Sequence, residues 1–259
     1  MRFRSDIHEL LPYINWPYFY HAWQVHDSEG RQRIRTEAMQ RLESIEGRYH
    51  AYALFELHEA VSDGDDIVLG GGQRLPMLRQ QTGSPCLSLA DFIRPKESGM
   101  TDHIGLFATS VDIGMETDFA SDDYERLMMQ LLADRLAEAM ADYIHLKVRI
   151  EIWGYAPDEN LAVADILAGR FQGIRPAVGY PSLPDMSFNF VLNDILHMDA
   201  IGIRLTESGA MKPHASVSGL MFSHPQARYF DIGSIGDDQI ADYAHRRGVP
   251  EYLMRKFIM

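Results

Sequence analysis

A stretch running from about Ser121 to about Val148 constrains this chain more than any other feature. Met128, Leu131, Leu132, Leu136, Ala139, Met140, Tyr143 and Ile144 recur at helical spacing and make one apolar stripe. A stripe of that kind must be covered by another layer, so the fold has to be built around it. Ser121 is placed to cap this helix. Asp122, Asp123 and Glu125 fall in its first turn, where the helix dipole favours negative charge, and Lys147 and Arg149 suit its far end.

Before the long helix, residues 6–46 read as helical with interruptions. Pro17 fits a first helical turn there, with Asn15 placed to cap it. Residues 50–57 read as a strand, 62–66 as a turn leading into Ile67-Val68-Leu69, and 104–111 as a buried strand. After the long helix, a shorter one is predicted over Asn160 to Ala168, and a Pro- and Gly-rich loop over Gly173 to Pro184. Three apolar runs then read as strands: Gly202 to Leu205, Ser218 to Ser223 and Arg228 to Ile232. Asp237 opens a helix that stops at His245-Arg246-Arg247-Gly248. This order predicts an α+β fold with a mainly antiparallel sheet, not a doubly wound parallel one. Residues 1–48 form an N-terminal helical segment and residues 49–259 an α/β body.

The chain has 259 residues, 46% hydrophobic and 24% charged, the profile of a soluble globular protein. Cys86 is the only cysteine, which rules out a disulfide within the chain and a thiolate-rich metal site, and fits a reducing cytoplasm. No signal-peptide pattern and no run of 18 apolar residues is present, so no membrane span is expected. A net charge of −13 argues against nonspecific nucleic-acid binding. It suits a cationic ligand or a basic partner surface, and equally plain solubility.

Common reactive constellations are missing: no His-Glu-x-x-His, no Gly-x-Ser-x-Gly and no phosphate-binding loop. Gly70-Gly71-Gly72 lacks the following Lys-Ser or Lys-Thr and reads as a flexible turn. The eleven histidines show no metal-ligand spacing, so no metal site is expected, and His214 and His224 read as structural. One segment stands apart, Gly173-Ile174-Arg175-Pro176-Ala177-Val178-Gly179-Tyr180-Pro181. It reads either as a structural loop or as a ligand loop. In the second reading the prolines stiffen the backbone, the glycines admit a ligand close to it, Arg175 suits a carboxylate and Tyr180 offers a face to a cation.

The stretch RPAVGYP (175–181) resembles the S-adenosylmethionine-binding loop of the activation domain of cobalamin-dependent methionine synthase. Further blocks resemble that family in the same order: YINWPYFYHAW (13–23), SLADFIRPKESG (88–99), ADRLAEAMADYIH (133–145), IWGYAPDENL (152–161), LTESGAMKPHASVSG (205–219) and FSHPQARYF (222–230). The resemblance implies a curved single domain with a twisted, mainly antiparallel sheet flanked by helices. It implies S-adenosylmethionine as ligand, held largely by main-chain groups. Arg175 would hold the methionine carboxylate, and Pro176, Ala177, Val178 and Gly179 would supply the backbone against the ligand. Tyr180 would sit near the transferable methyl, in the one role close to the reacting atoms. Tyr229 and Phe230 match an aromatic pair that contacts the ligand in the family, and Glu138 matches a glutamate near its site.

Asn15 stands where the family commonly has aspartate, keeping an acceptor but losing a charge, which implies weaker binding of the ligand ammonium. Phe230 replaces a usual tyrosine, and an acidic residue before the loop is replaced around Gly169-Arg170. No Asp-x-His-x-x-Gly cobalamin signature and no cysteine set for a homocysteine zinc is present. The resemblance therefore implies a reactivation subunit. It would act with the cobalamin-binding module of a methionine synthase lacking its own activation domain, and with a flavodoxin or another reductase as electron donor. Two other readings stay open: a noncatalytic binding protein that kept the fold, and a methyl donor for another corrinoid protein.

Overall fold

The computed structural model describes residues 1–258. The elements, in chain order, are β1 (Arg2–Ser5), α1 (Ile7–Leu10), α2 (Trp16–Ala22), α3 (Ser28–Ser44), β2 (Ala51–Asp63), β3 (Asp66–Leu69), β4 (Arg74–Pro76) and β5 (Asp102–Val111). They continue with α4 (Gly114–Thr117), α5 (Asp123–Lys147), α6 (Val163–Leu167), α7 (Phe188–Leu196), β6 (Arg204–Leu205), β7 (Met211–Lys212), β8 (Ser216–Met221), α8 (Asp237–Arg247) and α9 (Glu251–Phe257).

Strands β4-β3-β2-β5-β8 form one sheet in that order, and β1 pairs with the first residues of β2. Every pairing is antiparallel. The result is a single domain with a curled antiparallel sheet and helices about it. The alternation of side chains along a strand explains how one sheet serves two cores. Ala51, Ala53 and Phe55 of β2, with Phe107 and Val111 of β5, turn toward α5, α1 and α3. Leu54 and Ala60, with Ile104, Leu106 and Ala108, turn toward α7 and the segment around Leu89 and Phe92. Burial on both faces keeps 104–111 free of charged side chains, where a half-exposed strand would alternate, and the Thr109 and Ser110 hydroxyls donate to Ala137 O and Ile201 O.

Helix α5 is the spine of the first core, with Met128, Leu132, Leu136, Met140 and Ile144 all buried. Its N-cap is Asp122, not Ser121: the Asp122 carboxylate accepts from the backbone N–H groups of Tyr124 (2.9 Å) and Glu125 (3.0 Å). A carboxylate there also meets the positive end of the helix dipole, which a hydroxyl does not. The helix runs past Lys147 into a π-helical turn at Val148–Ile152. Asn15 occupies the N-cap position of α2 without a side-chain cap bond.

Other departures from the sequence reading are local. Residues 228–232 form no strand; Phe230 instead bonds through its backbone to Ser182. The 202–205 run pairs only at β6, with β7. Helix α7 was not expected, and neither was β1. Helix α8 ends as predicted, with Gly248 in the left-handed region at φ 66°. Among the described residues, no helix is long and apolar enough to cross a membrane.

Candidate functional site

The segment 173–181 lies along β8. Ile174 pairs with Phe222 and Ala177 with Gly219. Leu220 N–H donates to Pro176 O (3.1 Å), and Val178 N–H donates to Ser218 O (2.9 Å). The approach is close enough to require glycine on the strand: a Cβ on Gly219 would lie 2.2 Å from Pro176 O. Gly173, at φ +84°, is the second such place, since a Cβ there would lie 2.2 Å from Phe222 O and 2.9 Å from the Tyr155 hydroxyl. At the other end, Tyr180 N–H donates to Ala177 O (3.2 Å), Leu183 N–H to Tyr180 O and Gly179 N–H to Leu183 O (2.8 Å each). The bend is therefore built into the sheet margin, and Pro176, Ala177 and Val178 are buried.

This backbone presents Arg175 to one face of α5. The Arg175 Nη2 donates to Asp142 Oδ1 at 2.7 Å, and its Nη1 lies 3.7 Å from Glu138 Oε2. The Tyr180 hydroxyl donates to Glu138 Oε1 at 3.0 Å, and Arg175 N–H donates to the Tyr229 hydroxyl at 3.0 Å. Glu138 and Asp142 are four residues apart, one helical turn, so both carboxylates face the same guanidinium. Tyr180 and Tyr229 flank the cluster, 54% and 55% exposed, while the Arg175 side chain is only 15% exposed. Among the described residues, the Arg175 Nε is buried without a hydrogen-bond partner.

The electrostatics follow from partial burial. Burial opposes the charge on Arg175, but Asp142, Tyr229 and Glu138 outweigh it and hold the guanidinium above its usual range. Burial raises the Asp142 carboxyl despite the opposing pull of Arg175. The charge of Glu138 first, and then burial, pushes the Tyr180 phenol up to about 12. Arg175 therefore stays charged and Tyr180 stays a neutral donor at neutral pH. Neither phenol is poised as a base, because burial also raises Tyr229. The arrangement can hold and orient an anionic group, and it offers aromatic faces at its rim.

Of the residues expected at the site, Glu138, Arg175, Tyr180 and Tyr229 come together. Pro176, Ala177, Val178 and Gly179 form the connecting backbone, with the Val178 N–H spent on β8. Asn15 is half-buried at the start of α2 and makes no hydrogen bond to this cluster. Phe230 packs on Phe92, with ring centroids 6.3 Å apart. Asp142 is the site residue that sequence reasoning missed; its one signal is the one-turn spacing from Glu138, which says nothing until the partner cation is known.

A second layer supports the bend. Buried His145 meets the Tyr155 hydroxyl at 3.2 Å, and that hydroxyl donates to Gln172 O at 3.4 Å. Phe171 sits edge-on to His145 at 4.9 Å.

A family model described as the activation domain of vitamin B12 dependent methionine synthase matches residues 6–248. A crystal structure described as the MetH reactivation domain bound to AdoHcy is 34% identical in sequence, with a TM-score of 0.94. The similarity covers 100% of this chain and 88% of that one.

Proposed function

The chain belongs to the family of activation domains of vitamin B12-dependent methionine synthase, and from that premise we propose that the Arg175 bend binds S-adenosylmethionine and presents its methyl group to a cobalamin carried by another module. The observation that carries this reading is the Arg175 guanidinium, held by the Asp142 and Glu138 carboxylates at a rim formed by the exposed Tyr180 and Tyr229 rings. A guanidinium fixed in that way suits a ligand carboxylate.

In this reading Arg175 takes the carboxylate while Asp142 and Glu138 hold the guanidinium in place. The Ala177–Gly219 pair turns the backbone of Ala177 away from β8, leaving its N–H for the nucleoside or amino-acid part. Tyr229 borders the ligand, and Tyr180 stands nearest the methyl. Asn15 offers an uncharged acceptor to the ammonium, which predicts weaker binding than an aspartate would give.

The cofactors carry the chemistry: the sulfonium is a good leaving group, and the reduced corrin of the partner module supplies the nucleophile. The protein's task is then alignment and exclusion of water, which needs no acid–base pair. The raised phenol of Tyr180 fits a neutral positioning group. The partner is a cobalamin-binding module of a methionine synthase, with flavodoxin or another reductase as electron donor.

Calorimetric titration with S-adenosylmethionine tests the reading. Wild type should bind, and Arg175→Ala should weaken binding by on the order of tenfold or more, the loss of a charge-assisted pair of about 1.5–3 kcal/mol. No heat at millimolar ligand, or equal affinity in Arg175→Ala, would refute it.

A further inference from the structure

We propose that Asp6, His8 and Glu46 form a binding site for a divalent transition-metal ion, with zinc the best match to the donor set. One carboxylate oxygen of Asp6, a ring nitrogen of His8 and one carboxylate oxygen of Glu46 all lie within 4.8 Å of one another. No residue of this trio belongs to the Arg175 cluster.

The geometry is close to what an ion needs. His8 Nδ1 is 2.8 Å from Glu46 Oε1, and His8 N–H donates to Glu46 Oε2 at 3.0 Å. A proton bridges the imidazole and the carboxylate in the metal-free chain, and a zinc ion can take that proton's place between the same two atoms. With zinc bonds of about 2.0–2.2 Å, ligand atoms stand roughly 3.3 Å apart in a tetrahedron, so adjustments of up to about 1.5 Å suffice. His50 Nε2 lies 3.3 Å from Asp6 Oδ1 but accepts from Arg4 Nη2, so its lone pair is spent on Arg4 and it does not serve as a ligand.

An imidazole with two carboxylates selects zinc-like ions over magnesium and calcium, which prefer oxygen alone. The chain's net charge of −13 adds a general attraction for cations. His8 and Glu46 also line a cavity of about 600 Å³ between α1 and α3, so the remaining coordination position is open to water. Glu46 is 38 residues from His8 and joins the pair only in the folded chain, which is why histidine spacing in the sequence does not disclose the site. A bound ion would cross-link the N-terminal arm to the segment that leads into β2.

Titration of the whole protein with zinc chloride, with thermal unfolding in parallel, tests this. One-to-one binding is expected, with Tm raised by roughly 5 °C at a hundred times Kd. His8→Ala and Glu46→Gln should each weaken binding by on the order of tenfold or more and remove the Tm shift. His8 is 64% exposed, so its alanine variant should keep the wild-type circular dichroism. Magnesium should give no event. Absence of zinc binding, or binding of equal strength in both variants, would overturn the proposal.

Discussion

At the scale of single residues, the site depends as much on what is missing from a side chain as on what is present. Gly219 lets the 174–178 backbone lie against β8, and any Cβ there would run into Pro176 O. Gly219→Ala should therefore displace the bend, cost about 1–3 kcal/mol in urea unfolding, and weaken S-adenosylmethionine binding beyond that stability loss. His145 behaves differently. Burial first, and then Arg149 and Arg175, hold its imidazole well below the ordinary value of 6.5. The unfolded chain takes up a proton near pH 6.5 that the folded chain refuses. Stability should fall as pH drops below that value, by up to about 1.4 kcal/mol per pH unit for this one proton. Urea unfolding at pH 7.5, 6.5 and 5.5 checks this: the wild-type slope should exceed that of His145→Gln, and equal slopes would refute the assignment. The RPAVGYP bend was legible because its residue types carry a chemistry, whereas Glu138 was marked only by the family resemblance. Asp142 was not legible, because a carboxylate inside an apolar helical stripe reads as an interruption until its cation is known to come from a loop 33 residues away.

At the scale of elements, α5 does two jobs with two faces. Ala133, Ala137 and Ala141 are buried one turn apart, and Thr109 of β5 donates its hydroxyl to Ala137 O at 3.0 Å. These small side chains let the helix approach the sheet closely. Ala137→Leu should overpack that contact and cost about 1–3 kcal/mol, read as a lower urea midpoint with an unchanged m-value. The long helix, β2, β5 and α8 were legible because periodicity and end signals agree along many residues. Helix α7 was not, although Phe188, Val191, Leu192, Ile195 and Leu196 stand at helical spacing: the run is only nine residues long and Ser187 gives it no side-chain cap. The run 228–232 looked like a strand because aromatic and apolar side chains crowd it. Its backbone partner is a serine hydroxyl on the bend, which no local pattern reveals. Strand β1 escaped notice because its four residues carry two arginines and only one large apolar side chain.

At the scale of the whole molecule, the C-terminal helices are bolted on by groups far apart in the chain. Buried Asp185 accepts from the Tyr243 hydroxyl (2.9 Å) and from Ser187 Oγ (2.6 Å), and it lies 3.3 Å from Arg247 Nε. Arg246 reaches Asp66 at the start of β3 (2.5 Å), and Met186 N–H donates to Phe257 O (3.0 Å). Tyr243→Phe should leave one Asp185 lone pair unsatisfied in the interior. The expected loss is about 1–3 kcal/mol in urea unfolding, with S-adenosylmethionine affinity unchanged because α8 lies outside the site. The layered α+β plan was legible from element order, whereas this fastening, across 58 residues between Asp185 and Tyr243, exists only once the chain has closed. The placement of the bend has one more result. β8 is the last strand on its side of the sheet, and the 174–178 backbone covers the row of amides and carbonyls it would otherwise leave bare. Bare rows of that kind template self-association. A substitution that lifts the bend off β8, as Gly219→Ala should, therefore also uncovers a sticky margin, and loss of binding by that route should arrive together with clumping.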